Sequence, residues 1–329
     1  MKHKGVAYGF LSGIMWALDT VFIGVILTHS MFVSTEQALF LAPLVGTFLH
    51  DTASSLWIAG YLSLKGELKA ALSKIKTTSG RFVILGALLG GPLGMTFYVL
   101  AIKYLGSSYA ASFSAVYPAV GAFFSFLILK DRLYPKNWVG LSISILFIIL
   151  LGYSGSGAFS AQYGLGLLFI ALCIFGWGME CVIVACGMKG DEITPEQSLQ
   201  LRQLVSAVTY CTIILPSFGG WTLATEVITS KELFFIILVA LAGSVSYLFY
   251  YKAIRKIGPT RAMSLNISYS AWAIFFRFLF FAQPFTFRMV FYCFMIIFGS
   301  VLTVAGKDEF NVTGFFKRFL NHHIKEANR

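Results

Sequence analysis

Apolar residues are concentrated in ten stretches of the chain, separated by short polar segments. The stretches cover residues 5–27, 37–64, 82–102, 107–129, 137–153, 163–187, 196–216, 232–251, 260–282 and 287–305. A helix that crosses a bilayer needs about 20 predominantly apolar residues, so the pattern predicts ten transmembrane helices. Composition agrees, because 57% hydrophobic and 12% charged residues leave too little polar surface for a soluble fold. The expected fold class is all-α membrane.

Lysine and arginine are distributed unequally among the predicted loops. With the N-terminus inside, 20 of them lie on the cytoplasmic side and three, Lys103, Lys231 and Arg288, lie outside, while Arg202 and Arg277 fall within spans. Basic residues near helix ends are retained in the cytoplasm. We therefore expect a bacterial cytoplasmic membrane protein with both termini inside. The net charge of +11 then reflects topology and attraction to anionic lipid headgroups, and no nucleic-acid partner is expected.

The chain contains an internal repeat. Residues 94–128 align without gaps with residues 246–280, an offset of 152 that pairs Gly106 with Gly258 and Tyr117 with Tyr269 among others. Five helices per repeat place the second repeat upside down in the membrane. The prediction is two inverted five-helix repeats, the architecture typical of alternating-access transporters with a site near the midplane.

The repeat predicts three regions. The first repeat covers residues 1–155, the second, inverted repeat covers residues 156–306, and a basic tail follows over residues 307–329. Phenylalanines at helical spacing in the tail suggest that it lies along the inner membrane surface.

Two tryptophans each precede a carboxylate by three residues within a predicted span. The pairs are Trp16 with Asp19 and Trp177 with Glu180, and residues three apart share a helix face. An ionised acid at membrane depth is costly and usually faces a cavity, and an aromatic face attracts a quaternary ammonium ion. The two pairs therefore predict a cation site.

Further candidates follow from spacing and from the repeat. Tyr247 and Tyr250 share a helix face, as do Tyr269 and Trp272, and Asn266 lies one turn before Tyr269. The predicted substrate-binding residues are Trp16, Asp19, Tyr98, Tyr117, Trp177, Glu180, Tyr247, Tyr250, Asn266, Tyr269 and Trp272. With 33 Phe, 15 Tyr and 6 Trp in the chain, ordinary packing remains the alternative for each ring.

Other ionisable residues at membrane depth need partners. His50 and Asp51 lie near the middle of the second span, where they can relay protons or hold a helix contact. The proton-relay candidates are Asp19, His50, Asp51 and Glu180. Arg202 and Arg277 are expected to neutralise buried acids, and the sequence leaves open which arginine meets which acid.

Several chemistries are not indicated. The five cysteines lie within predicted spans without metal-ligand spacing, so neither a metal site nor a disulfide is expected. The chain has no nucleotide-binding motif, and we expect no cofactor. An intramembrane enzyme that uses His50 and Asp51 is the remote alternative, since no nucleophile is paired with a base. The protein is therefore expected not to be an enzyme.

A group of longer motifs resembles a known family. The motifs are GFLSGIMW (9–16), HDTAS (50–54), GALLGGPLGM (86–95), AIKYLGSSYAASFSAVYPA (101–119), GWGMEC (176–181), LRQLVS (201–206) and LNISYSAW (265–272). They resemble the drug/metabolite transporter superfamily, and within it the EamA-type permeases with ten helices that take up choline in bacteria carrying lic loci. The resemblance covers Gly5 to Gly306.

The resemblance implies uptake of choline by alternating access, with an aromatic box around the trimethylammonium group. The matching motifs contain Trp16, Tyr117, Trp177, Glu180 and Tyr269. Asp19 departs from the family pattern, in which a small residue is expected at this position. Export of amino acids, amines or other metabolites is the alternative within the superfamily.

Overall fold

The structure is a computed structural model that describes residues 2–152, 163–190, 192–282, 284 and 286–305. Its long helices are numbered 1 to 10 in chain order. They are helix 1 (Lys2–Ile26), helix 2 (Glu36–Leu64), helix 3 (Thr78–Leu105), helix 4 (Ser107–Ser114 and Tyr117–Leu129), helix 5 (Pro135–Gly152), helix 6 (Tyr163–Gly187), helix 7 (Pro195–Phe218), helix 8 (Glu232–Ile257), helix 9 (Pro259–Asn266 and Tyr269–Phe281) and helix 10 (Phe287–Val304). The described residues include no β-strand.

These helices confirm the all-α membrane fold predicted from the apolar stretches. Helices 1, 3, 6, 7, 8, 9 and 10 are long and apolar enough to cross a membrane, and helix 5 and the second part of helix 4 are shorter apolar helices. Helix 2 has 29 residues and includes the buried pair His50 and Asp51. The protein is a multi-pass membrane protein.

Short helices between the long ones were not predicted from the sequence. They are Ser30–Val33, Leu68–Ser73, Lys74–Lys76 and Trp221–Ile228. Each is too short for a clear apolar period, so the hydropathy pattern does not separate it from a loop.

Threonine caps mark the starts of several helices. Thr35, Thr77, Thr194 and Thr286 each accept a hydrogen bond from the backbone N–H three residues later. Such a cap satisfies an unpaired N–H group and contributes about 1 kcal/mol. At helix 7 the cap is a full capping box, because the Gln197 side chain also accepts from the Thr194 backbone N–H.

The two repeats have the same interruptions in their helices. Helix 3 ends before Gly106 (φ +84°, ψ 157°) and helix 8 ends before Gly258 (φ +85°, ψ 160°), 152 residues apart. An eight-residue helix follows each glycine, then a break of two residues, and the next helix begins at Tyr117 or Tyr269. A positive φ favours glycine, so equivalent glycines set equivalent turns in the two repeats.

The helix packing is symmetric: equivalent helices of the two repeats make equivalent contacts with the opposite or the same repeat. Helix 1 packs on helices 8 and 9, as helix 6 packs on helices 3 and 4. Helix 2 packs on helices 7 and 8, and helix 7 packs on helices 2 and 3; helix 5 pairs with helix 10. The fold is therefore two inverted five-helix repeats whose interface runs through the centre of the molecule.

Helices 5 and 10 approach closely because small residues face each other. Gly140 and Gly299 each lie against the backbone of the other helix. The Ser144 hydroxyl donates to the Ile296 carbonyl at 3.0 Å, and Asn137 Nδ2 donates to the Leu302 carbonyl at 3.0 Å. Small residues and interhelical hydrogen bonds are the usual means of helix association in a membrane.

The boundary between residues 155 and 156 and the tail over residues 307–329 lie outside the described residues. The limits of the three predicted regions, and the position of the tail at the membrane surface, remain predictions.

Candidate functional site

Five ionisable side chains form a continuous buried network between the two repeats. His50 Nε2 lies 2.8 Å from Asp19 Oδ1, and His50 Nδ1 lies 3.3 Å from Asp51 Oδ1. Arg202 Nη1 lies 3.0 Å from Asp51 Oδ2, and Arg202 Nε lies 3.1 Å from Glu180 Oε1. All five side chains are buried. We call Asp19, His50, Asp51, Arg202 and Glu180 the buried charge network.

The buried charge network joins helices 1, 2, 6 and 7. Both ring nitrogens of His50 face carboxylate oxygens, and a doubly protonated ring donates to both, since a carboxylate only accepts. Asp51 lies at the centre of the network because it contacts one base from each repeat. A buried charge needs a partner of opposite sign, so the Asp51–Arg202 pair, which crosses between the repeats, holds them together at membrane depth.

Polar neighbours complete the hydrogen bonding around Asp51 and Arg202. The Ser206 hydroxyl donates to Asp51 Oδ2 at 2.6 Å. Arg202 Nη1 donates to Gln203 Oε1 at 2.7 Å, and Arg202 Nη2 donates to the Tyr247 hydroxyl at 3.0 Å. The guanidinium carbon of Arg202 also lies 4.5 Å from the centre of the Tyr247 ring, in range of a cation–π contact.

The repeats contribute unlike bases at equivalent positions. The offset of 152 that relates Gly106 to Gly258 also relates His50 to Arg202. Asp19 and Glu180, the acids of the two Trp-to-acid pairs, each contact the base of their own repeat. One repeat thus pairs its acid with an imidazole, and the other pairs its acid with a guanidinium group.

Glycines leave the space that the charged side chains occupy. A Cβ atom on Gly90 would overlap the Glu180 carboxylate. A Cβ atom on Gly91 would lie 2.8 Å from the Ser206 hydroxyl, and one on the equivalent Gly243 would lie 2.5 Å from His50 Nε2. These separations are shorter than ordinary contacts, so only glycine fits at the three positions without displacing Glu180, Ser206 or His50.

The tryptophans of the two Trp-to-acid pairs pack against tyrosines. The Trp16 ring lies edge-on to Tyr247, with ring centres 5.2 Å apart. The Trp177 ring centre lies 5.2 Å from that of Tyr98 and 5.9 Å from that of Tyr117, the latter edge-on. Edge-to-face and tilted arrangements at these distances are favourable aromatic contacts.

Tyr247 connects the rings to the buried charge network, because it contacts both Trp16 and Arg202. Tyr250 and Tyr251 lie next to it, with ring centres 6.4 Å and 6.1 Å away. The Tyr250 hydroxyl is 2.9 Å from Cys181 Sγ, and the Tyr251 hydroxyl donates to Glu180 Oε1 at 3.5 Å. Helix 8 therefore presents tyrosines to helix 1 on one side and to helix 6 on the other.

The remaining candidates lie on helix 9. Asn266 Nδ2 donates to the Ser12 hydroxyl at 3.1 Å, which ties helix 9 to helix 1. Tyr269 is half-buried and begins the second part of helix 9, in the place that Tyr117 has in helix 4. Trp272 packs edge-on against Phe275 of the same helix, and its Nε1 has no hydrogen-bond acceptor within the described residues.

The arginines differ from the expectation that both are buried partners of acids. Arg202 contacts Asp51 and Glu180, as expected. Arg277 is exposed on helix 9, because its position on the helix faces away from the interior, so the prediction of a buried pair there is wrong.

Three residues that hydrogen-bond to the buried charge network were not predicted from the sequence. Ser206 lies four residues after Arg202, and Tyr251 lies four residues after Tyr247, so helical spacing alone was a signal for both. Gln203 had no sequence signal beyond its position next to Arg202.

Comparisons with known proteins agree with this architecture. A family model described as the EamA-like transporter family matches residues 3–153 and 164–305. Protein LicB of Haemophilus influenzae (strain ATCC 51907 / DSM 11121 / KW20 / Rd) is 30% identical over 314 residues, which cover 93% of this chain and 99% of that protein. A solved crystal structure matches with a TM-score of 0.65 at 14% identity, over 92% of this chain and 96% of that one, and shows a similar fold. This chain belongs to the EamA-like transporter family.

Proposed function

We propose that the protein is a secondary transporter that imports choline or a closely related quaternary ammonium ion by alternating access. One observation carries the proposal: the rings of Trp16 and Trp177, with the tyrosines that they contact, lie next to the buried charge network, which contains more acids than bases. Trp16 reaches the network through Tyr247, and Trp177 precedes Glu180 by one helical turn. Rings and diffuse negative charge are what a cation without hydrogen-bond donors requires.

The balance of charges supports a cationic substrate. Asp19, Asp51 and Glu180 are three acids, whereas His50 and Arg202 are two bases. Even with His50 protonated, the ionised network carries one negative charge more than it carries positive charge. A monovalent cation compensates that charge, whereas an anionic substrate increases the imbalance.

The family resemblance of the motifs supports choline as the particular cation. Trp16, Tyr117, Trp177, Glu180 and Tyr269 lie in motifs that resemble those of choline-uptake permeases. Asp19, which departs from those motifs, pairs with His50 and is therefore assigned to the charge network rather than to the ring walls.

Removing one ring or one charge tests the site. We expect Trp177→Ala to weaken choline binding by about 2- to 30-fold, because a well-placed ring contributes about 0.5–2 kcal/mol. Glu180→Gln keeps an oxygen that accepts from Arg202 but removes the charge, and we expect it to lower uptake as well. Choline binding to the purified protein and uptake into proteoliposomes measure both effects.

The matched control is Trp138→Ala, which removes a tryptophan that is exposed on helix 5. It is expected to bind choline as the unmodified protein does. Unchanged binding and uptake in both Trp177→Ala and Glu180→Gln, at equal amounts of folded protein, would show that the site is elsewhere.

The membrane potential is sufficient to drive uptake. A monovalent cation gains about 2.3 kcal/mol per 100 mV of inward-negative potential, which corresponds to roughly fifty-fold accumulation. A proton gradient is the second driving force that the geometry supports, because His50 lies between two carboxylates. The proposed location is the cytoplasmic membrane with both termini inside, from the distribution of lysine and arginine.

Uptake at a fixed membrane potential tests the role of protons. We expect an inward proton gradient to accelerate choline uptake into proteoliposomes of the unmodified protein, because His50 lies between Asp19 and Asp51 and can exchange a proton between helices 1 and 2. His50→Gln retains hydrogen-bonding groups but cannot carry that proton, so the acceleration is expected to be absent. If the unmodified protein took up choline at the same rate with and without the proton gradient, proton coupling would be excluded and the membrane potential would be the driving force.

A further inference from the structure

The connection between helices 2 and 3 forms a depression at one end of the molecule. Helix 2 ends at Leu64, Gly66 (φ +71°) turns the chain, and the short helix Leu68–Ser73 follows. A shallow cavity of about 430 Å³, largely open to its surroundings, lies in this angle. Its lining residues are Ser63, Gly66, Leu68, Lys69 and Leu72. We call this cavity the helix 2–3 pocket.

The chain segment that forms the helix 2–3 pocket is basic, and Lys69 lines the pocket itself. Lys65, Lys69, Lys74, Lys76 and Arg81 lie between residues 64 and 81, where Glu67 is the single acid. The Lys65 ammonium group lies 4.6 Å from the centre of the Tyr61 ring. Lys69 is exposed at the pocket. Glu192 accepts from the Ser79 backbone N–H at 3.3 Å, and Glu196 is paired with Lys252. With five basic residues against these acids and Glu67, the segment retains an excess of positive charge next to the end of helix 2.

The same region exposes large apolar side chains. Leu64 is 92% exposed, Leu72 is 38% exposed and Ile75 is 41% exposed. Leu68 and Leu72 also line the helix 2–3 pocket. Apolar side chains beside lysines at the end of a membrane helix fit the boundary between headgroups and acyl chains.

We propose that the helix 2–3 pocket binds an anionic phospholipid from the adjoining leaflet. Lys69 contacts the phosphate, Lys65 and Lys76 add positive potential, and Leu68 and Leu72 pack against the start of an acyl chain. Charge complementarity selects the anionic headgroup, and the apolar wall selects a lipid over a free anion. The site is separate from the buried charge network, so it does not depend on the choice of transported substrate.

Native mass spectrometry of the purified protein tests the proposal. The protein is equilibrated in micelles with equal amounts of phosphatidylglycerol and phosphatidylcholine, and the retained lipids are counted. We expect preferential retention of phosphatidylglycerol. Lys69→Gln is expected to lower that preference about fivefold, because one lysine near an anionic surface contributes on the order of this factor.

Two further variants separate the pocket from general surface attraction. Lys231→Gln removes an exposed lysine that directly precedes helix 8. Lys231 lies at the other end of helix 8 from Lys252, which pairs with Glu196 at the start of helix 7. This variant should leave phosphatidylglycerol retention unchanged. Leu72→Asn keeps every charge but should also lower phosphatidylglycerol retention. Thermal unfolding of each variant confirms that it is folded.

Three results would overturn the proposal. They are equal retention of the two lipids by the unmodified protein, equal loss in Lys69→Gln and Lys231→Gln, and displacement of phosphatidylglycerol by excess inorganic phosphate. The last result would identify a free-anion site rather than a lipid site.

Discussion

Arg202→Met is expected to abolish choline uptake and to lower the free energy of unfolding by about 3–5 kcal/mol. Arg202 contacts both Asp51 and Glu180 at 3.0–3.1 Å. Without the guanidinium group, the three carboxylates of the network stay buried with His50 as the one remaining base. Removing one partner of a buried ion pair leaves an uncompensated charge, which is the costly change. Uptake into proteoliposomes and chemical unfolding in detergent micelles measure the two effects.

Arg277→Met is the matched control, because it makes the same substitution at an arginine that is exposed on helix 9. Its effect on unfolding should lie within about 0.5 kcal/mol, the usual range for surface changes. The combination of Arg202→Met with Glu180→Gln and Asp51→Asn should recover much of the lost stability but not the uptake. If Arg202→Met alone were as stable as Arg277→Met, the buried charge network would not hold the repeats together.

Gly90→Ala is expected to reduce choline uptake strongly and to destabilise the fold by about 1–3 kcal/mol, the usual cost of overpacking. The added methyl group would overlap the Glu180 carboxylate, so Glu180 must move away from Arg202 or helix 6 must shift from helix 3. Uptake, choline binding and unfolding in detergent measure the result.

Gly60→Ala provides the comparison within helix 2. A Cβ atom there meets no atom within 4 Å, and alanine has a higher helix propensity than glycine by about 1 kcal/mol. We expect Gly60→Ala to be as stable as the unmodified protein or more stable, with full uptake. Equal uptake in Gly90→Ala and Gly60→Ala would show that the position of the Glu180 carboxylate is unimportant for transport.

The fold was largely predictable from the sequence because helices that cross a membrane appear in the sequence as long apolar stretches. Predicted spans such as 163–187 coincide with the observed helix Tyr163–Gly187. The alignment of Gly106 with Gly258 also anticipated the equivalent turns between helices. The breaks after Ser114 and Asn266 were not predicted, because the two residues in each break include neither glycine nor proline.

The site was predictable in its residue types but not in its pairing. The Trp-to-acid spacing selected Asp19 and Glu180, and their depth in the spans indicated that each needs a partner. Which base meets which acid depends on the rotation and tilt of helices 1, 2, 6 and 7, which hydropathy does not encode. Arg202 and Arg277 illustrate this, since both lie in predicted spans but only Arg202 faces the interior.

The unlike bases of the two repeats have an energetic consequence. In a perfect duplicate, rocking one bundle against the other would interconvert two end states of equal free energy, because each bundle would simply adopt the other's environment. Here one bundle carries an imidazole where the other carries a guanidinium. In the proposed alternating-access cycle, this difference gives the two end states unequal free energies, and we expect the protonation of His50 to bias the resting orientation of the empty carrier.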